Sequence, residues 1–321
     1  MSSSGKKPAH KSPYLKPPIT FAEQVQKLQK RNLEVSDTAK AEFYLGQINY
    51  YRFTAYCLPF EGDQTSHCFT DGVSFDDILN LYIFDRELRL LVMDAIERIE
   101  VSLRTQFAYH LSHNHQTAHP HLKSEIFSDP VIYANSLHNL EKDIKRSKED
   151  FIRHLVDKYS DSLPPVWAVV ELLTMGQLSK WFGNIKYRHD RQSISRIYGL
   201  DEKVMTSFCE HLSLVRNHAA HHARLWNRDF TKTPMLPRKA DLQLVSSLVV
   251  KPEYDRQLRK LYNTFVILAY LMEKICGENH WQDRLVKLIN AHRIDVRKMG
   301  FPDDWLQRLM WQGFAVERSG C

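Results

Sequence analysis

Apolar positions recur every three or four residues over long stretches of the chain, the spacing that buries one face of an α-helix. The longest stretch predicts a helix from Phe75 to about Leu111 that no Gly or Pro interrupts. Ser74 precedes it, and Asp76 and Asp77 fall in its first turn, where negative charge is favourable. Such a helix would be roughly 55 Å long. We expect it to be the central helix of the fold.

Further periodic segments predict helices on both sides of this one. Thr20 and Glu23 have the spacing of a capping box for a first helix. Ser36 or Asp37 can start a second helix that extends to about Tyr56. Downstream helices are predicted at 134–158, 165–184, 188–198 and 202–228, with an apolar helix through Leu261 and Leu271. With only 11 Gly and 13 Pro, the pattern favours an all-α, multi-helical bundle.

Composition predicts three parts in the chain. Residues 1–18 contain lysines and prolines but no acid, which is typical of a disordered basic tail. Residues 19–230 form the predicted helical domain, and residues 231–321 form a C-terminal helical extension packed on it. The net charge is +6, but without the tail it is only about +2, too little to indicate nucleic-acid binding by itself.

Cysteine usage and hydropathy bear on the compartment. Five cysteines without a Cys-x-x-Cys pair are typical of reduced residues in a cytoplasmic protein. The N-terminus lacks the apolar segment of a signal peptide. The longest apolar run, 265–272, is too short to cross a bilayer. We therefore expect a soluble cytoplasmic protein without membrane association.

The richest candidate chemistry lies in residues 216–228. On a helix that continues through this segment, one face carries the polar side chains Asn217, His221, Arg224 and Arg228. Asn217 and His221 are four residues apart, so their side chains can meet. Arg216 lies at the flank of this face and can reach round, whereas His222 borders the apolar stripe. His221 is therefore the better-placed acid or base.

These residue types suit RNA cleavage without a metal. An imidazole can take a proton from a ribose 2′-hydroxyl or give one to the leaving oxygen. The Arg216 guanidinium can hold two phosphate oxygens, and the Asn217 amide can orient the site. One histidine cannot easily serve both sides of the phosphorus, so a second copy would help. The plainer interpretation is a solvated polar helix face.

The same residues resemble a known signature. Arg-Asn-x-x-x-His, followed by His and Arg-Leu-Trp-Asn-Arg, resembles the motif of abortive-infection (Abi) phage-resistance proteins of the AbiD/AbiF type. Those proteins are members of the HEPN superfamily of all-helical ribonucleases. Further agreeing segments are 49–52, 81–89, 95–100 with Arg104, 165–167 and 175–179. The resemblance covers roughly residues 19–230.

The resemblance implies a HEPN-like fold in which Arg216, Asn217 and His221 are the catalytic residues. It implies a phage-defence endoribonuclease toxin that acts on RNA without cofactor or metal. It also implies a homodimer with a composite active site, and an antitoxin of RNA or protein is a further candidate partner. Candidate RNA-binding or supporting residues are Arg224, Arg228, His222, Glu100 and Arg104.

Several alternatives stay open from the sequence. The pairs Asp85–Arg89, Asp94–Arg98 and Glu100–Arg104 have i,i+4 spacing and predict surface ion pairs, although the resemblance suggests that Glu100 or Arg104 supports the motif. The histidines at 110–121 favour a polar loop over a metal site. Core positions are predicted for Trp167, Trp181 and Trp226. A non-catalytic RNA- or protein-binding module is the main alternative function, and a nucleotide-modifying enzyme ranks last.

Overall fold

The computed structural model describes residues 13, 15–62, 66–277 and 279–314. These residues contain thirteen α-helices and no β-strand, which confirms the predicted all-α fold. Most of the predicted disordered tail, namely residues 1–12 and 14, lies outside the described residues. The chain divides into two compact units, Met1–Tyr82 and Ile83–Cys321.

The first unit contains helices α1 (Phe21–Gln29), α2 (Thr38–Gln47) and α3 (Tyr50–Cys57). Thr20 and Glu23 form the predicted capping box, and the Asp37 carboxylate caps α2. The predicted second helix does not continue to Tyr56, because Ile48 is extended and the Asn49 side chain accepts the Tyr51 N–H to begin α3. That expectation was therefore wrong in its length.

Helix α4 (Phe75–Asn114) confirms the predicted long helix. Ser74 and Asp77 exchange hydrogen bonds between side chain and backbone at its start. All three predicted i,i+4 ion pairs form along it. The prediction that they lie on the surface was wrong for Asp85, Arg89 and Glu100, which are 0%, 6% and 8% exposed. A buried carboxylate of this kind needs several donors, and their source is described below.

The remaining helices of the second unit are α5 (Pro130–Arg146), α6 (Asp150–Lys158), α7 (Val166–Val169), α8 (Met175–Gly183), α9 (Arg188–Arg196), α10 (Glu202–Ala220), α11 (Leu242–Ser247), α12 (Tyr262–Ile275) and α13 (Trp281–Ala291). The predicted helices at 134–158 and 165–184 are each divided. Ser147 is extended between α5 and α6, and Leu173 is extended before the Thr174 cap of α8. Local side-chain caps thus interrupt continuous apolar periodicity.

Helix α12 is the most deeply buried helix of the second unit, with every residue from Tyr262 to Met272 inside the core. The Tyr270 hydroxyl donates to the Tyr198 carbonyl over 2.8 Å. The Trp281 indole N–H donates to the Leu91 carbonyl of α4, also over 2.8 Å. Residues beyond 230 are therefore joined directly to α4 and to the segment after α9 by satisfied polar groups.

Two of the three tryptophans predicted as core anchors are buried. Trp181 is 2% exposed and Trp226 is 4% exposed. Trp167 is 54% exposed, so its assignment to the core was wrong. It lies on α7, whose buried residues are Val166, Ala168 and Val169, so Trp167 is the residue of this helix that faces solvent.

His211 lies in the core and links α10 to the C-terminal part. Its Nδ1–H donates to the Lys232 carbonyl, and its Nε2 accepts from the Thr264 hydroxyl, both over 2.8 Å. The carbonyl can only accept, so this pair of bonds selects the neutral tautomer with the proton on Nδ1. Burial lowers the pKa of His211 to about 4.

The second unit is therefore expected to lose stability in mild acid. Because the folded pKa is about 4 against 6.5 for an ordinary histidine, His211 contributes stability that is complete above pH 6.5 and lost as the pH falls towards 4. The full effect is about 3 kcal/mol. Urea unfolding of wild type and His211→Gln between pH 7 and pH 4.5 measures it. The free energy of unfolding should fall more steeply with decreasing pH in wild type than in His211→Gln. Equal slopes for the two proteins would contradict the assignment of His211 as a buried neutral imidazole.

Candidate active site

The candidate segment lies at the C-terminal end of α10, and the helix ends earlier than predicted. The helix stops at Ala220, and His221 is its C-cap. The His222 N–H donates to the Ala219 carbonyl, and the Ala223 N–H donates to the His218 carbonyl. This is the Schellman pattern of a helix end. The expectation of a helix through Arg228 was wrong.

The position after the C-cap of α10 is occupied by His222 and not by glycine. His222 has a φ of +56°, in the left-handed region where glycine is normally found. A non-glycine residue there costs roughly 1 kcal/mol or more, and Asn227 in the same segment also has a positive φ, of +52°. Its side chain is exposed and does not border an apolar stripe, which corrects the sequence expectation.

The chain beyond the cap is held by the buried Asp85 of α4. One oxygen of its carboxylate accepts the N–H groups of Leu225 and Trp226, over 3.0 and 2.6 Å. The other oxygen accepts from the Arg89 guanidinium. Asp85 thus takes the place of the helical carbonyls that would otherwise accept these N–H groups. A contact across 140 residues of sequence determines where α10 ends.

Arg224 and Arg228 therefore do not share a helical face with Asn217 and His221. The Arg228 Nε–H donates to the Arg224 carbonyl, which folds this loop onto itself. The Arg228 charge instead lies close to the imidazole of His218. Both arginines are partly exposed, so they remain near the helix end without forming the stripe that wheel geometry predicts.

Arg216 belongs to a charge cluster with Glu100 and Arg104 of α4. The Arg104 guanidinium donates to the Glu100 carboxylate and to the Leu173 carbonyl, and it pairs with Glu171 over 3.3 Å. Burial raises the pKa of the Glu100 carboxyl, and the charges of Arg104 and Arg216 oppose this rise. The Arg216 charge thus lies within electrostatic range of the Glu100 carboxylate, to which Arg104 is hydrogen-bonded.

The Arg216 side chain keeps an unused donor. Its Nε is buried and has no hydrogen-bond partner among the described residues. The Nε of Arg104 in the same cluster is also buried and unpaired, so this feature is shared by both guanidinium groups. A phosphate oxygen is the acceptor that a guanidinium binds best. Because the Arg216 residue is partly exposed, its guanidinium is suited to bind an anion from solvent.

Helix α8 supports α10 at the level of this cluster. Thr174 and Gln177 form a capping box at its start, immediately after the Leu173 carbonyl that binds Arg104. A Cβ on Gly176 would lie 3.1 Å from the Ser213 hydroxyl of α10. The missing side chain at Gly176 therefore allows the close approach of the two helices.

The exposed part of the site consists of Asn217, His221 and His222. His218 is half-buried beside them, and burial together with the charges of Arg228 and His221 lowers the pKa of its imidazole. His218 falls at the first variable position of the Arg-Asn-x-x-x-His motif, so the motif does not indicate this proximity. The turn after Ala220 brings Arg228 back towards His218, which periodicity alone does not indicate.

A metal or cofactor has no evident ligands here. Within residues 15–62, 66–277 and 279–314, no group of three or more His, Cys, Asp or Glu side chains could hold a metal ion. The available groups are instead the imidazoles of His218, His221 and His222, the Asn217 amide and the guanidinium groups of nearby arginines. This set can bind a phosphate and exchange protons with it.

A family model described as "Abi-like protein" matches residues 43–227, more than half of the chain. The chain therefore belongs to the Abi-like protein family. Family membership supports a role in phage defence. No curated protein and no solved structure matches the chain.

None of the described helices is both long enough and apolar enough to cross a membrane.

Proposed function

We propose that this protein is a HEPN-type endoribonuclease toxin of phage defence that cleaves RNA by attack of the 2′-hydroxyl on the adjacent phosphorus. The observation that supports this most strongly is that partly exposed Arg216 and exposed Asn217 and His221 lie together at the C-terminal end of α10. A guanidinium that can donate hydrogen bonds to a phosphate and an imidazole that can transfer protons thus lie within six residues at one helix end. Family membership agrees with a defence role.

Each residue has a distinct role in this mechanism. Arg216 binds the scissile phosphate and stabilises the charge that develops on it. His221 exchanges a proton with the 2′-hydroxyl or the 5′-oxygen, and Asn217 orients the reacting groups. Glu100 and Arg104 position Arg216 from behind. Arg224, Arg228 and His222 lie around the turn and contact the RNA backbone on either side.

We propose that two copies of the chain form one active centre. A reaction that removes one proton and delivers another on opposite sides of phosphorus needs two proton-transfer groups, and a twofold axis supplies a second His221. The exposure of His221 and Asn217 at the helix end leaves them accessible to a partner copy. RNA, a second copy and an antitoxin of RNA or protein are thus the proposed partners, all in the cytoplasm.

The direct test is cleavage of end-labelled RNA by the purified protein in excess EDTA. The proposal expects scission with products that carry a 2′,3′-cyclic phosphate and a 5′-hydroxyl, because the mechanism uses no metal. Binding of the RNA without scission would instead favour the non-catalytic binding module. Cleavage that EDTA abolishes would contradict the mechanism.

The composite centre has a test of its own. Wild type and His221→Ala chains are produced together in equal amounts so that they pair at random. If both copies of His221 are required, about one quarter of the wild-type activity per chain should remain, because only wild-type pairs are active. A remaining activity of one half would show that each chain acts alone.

A further inference from the structure

A cavity of about 670 Å³ lies in the second unit, away from Arg216 and His221. It is lined by α5, α6 and α7 and by the segment between α6 and α7. The residues that determine its chemistry are His119, Glu141, Lys145, Tyr159, Asp161 and Trp167. Its volume is that of a site for a small organic ligand.

Aromatic and apolar side chains form an accessible wall of this cavity. Trp167 is 54% exposed, and Tyr159 and Val156 are each 51% exposed. Exposing about half of three neighbouring apolar side chains to water is unfavourable in free energy, and a bound ligand that covers them would remove this cost. The faces of an indole and a phenol are also the surfaces that attract a cation.

The polar groups of the lining are mainly hydrogen-bond acceptors. Asp161 and Glu141 supply two carboxylates, and Asp161 lies 4.0 Å from Nδ1 of His119. The Nε2 atom of His119 is buried and has no hydrogen-bond partner in the described part of the chain. Lys145 is the basic member of the lining and is exposed at its rim, and the Lys158 ammonium lies outside the lining, 5.5 Å from the centre of the Tyr159 ring. Within the lining itself, two carboxylates against one ammonium disfavour an anion.

We propose that this cavity binds a small organic cation, an alkylammonium or a guanidinium compound. Such ligands offer only donors, which match the carboxylates of Asp161 and Glu141 and the free nitrogen of His119. Their charge lies over the Trp167 ring, and their aliphatic carbons cover the exposed apolar wall. The proposal does not depend on RNA cleavage.

Isothermal titration calorimetry with spermidine and agmatine tests this directly, with adenosine monophosphate as the anionic comparison. The cations should bind saturably and the nucleotide should not. Trp167→Ala and Asp161→Asn should each weaken cation binding about tenfold, because each removes one of the interactions that recognise the charge. Both residues are substantially exposed, so the fold should tolerate these changes.

Asp157→Asn is the matched control, because Asp157 is an exposed acid of α6 that does not line the cavity. It should bind spermidine as wild type does. Tighter binding of adenosine monophosphate than of either cation would overturn the proposal. So would equal cation affinity in wild type, Trp167→Ala and Asp161→Asn.

Discussion

His221→Ala is expected to lower the rate of RNA cleavage by about 100-fold or more, the usual contribution of a proton-transfer group. RNA binding should change little, because the phosphate contact belongs to Arg216. The fold should also be unaffected, because His221 is the exposed C-cap of α10 and only its backbone N–H is bonded, to the Asn217 and Ala219 carbonyls. Single-turnover cleavage in EDTA separates the chemical step from binding.

The matched control is His154→Ala, which removes an exposed histidine of α6. His154→Ala should cleave RNA at the wild-type rate. If His221→Ala and His154→Ala are equally active while both remain folded, His221 takes no part in catalysis. In that case another group would have to transfer the protons, and half-buried His218 would be the next residue to substitute.

Asp85→Asn is expected to destabilise the protein by about 3–5 kcal/mol, the effect of breaking a buried ion pair from one side. The Asp85 carboxylate neutralises Arg89 and accepts two N–H groups from Leu225 and Trp226. An amide at this position turns a donor towards the guanidinium. The turn after His221 should loosen as a result, so activity should fall together with stability.

Asp94→Asn provides the comparison on the same helix. Asp94 pairs with Arg98 and Arg284, and its side chain is 27% exposed, so solvent screens both pairs. Its loss should cost less than about 1 kcal/mol. Urea unfolding of both variants at pH 7 gives the two values. Similar losses for Asp85→Asn and Asp94→Asn would mean that Asp85 does not anchor the turn.

The features that the sequence predicts correctly are those that depend on neighbouring residues. Helix α4 follows from an uninterrupted apolar pattern behind the Ser74 and Asp77 cap. The i,i+4 pairs of α4 follow from helical spacing alone. The link of Glu100 and Arg104 to Arg216 came from the resemblance, since spacing on α4 says nothing about α10.

The end of α10 could not be predicted in this way. No glycine marks it, because His222 takes the left-handed conformation that a glycine usually supplies. The donors that would extend the helix are instead bound by Asp85, which is distant in sequence. Wheel geometry therefore placed Arg224 and Arg228 on a face that does not exist, and it missed the approach of Arg228 to His218. Tertiary contacts override helical periodicity here.

The central claim is that the RNA supplies its own nucleophile while Arg216 and His221 assist the reaction. The most direct measurement uses an RNA with a single 2′-deoxy nucleotide at the mapped cleavage site, incubated with wild-type protein in EDTA. We predict that cleavage at that position disappears while cleavage at other positions continues. Undiminished cleavage at the deoxy position would show that water attacks the phosphorus, and the account would be wrong.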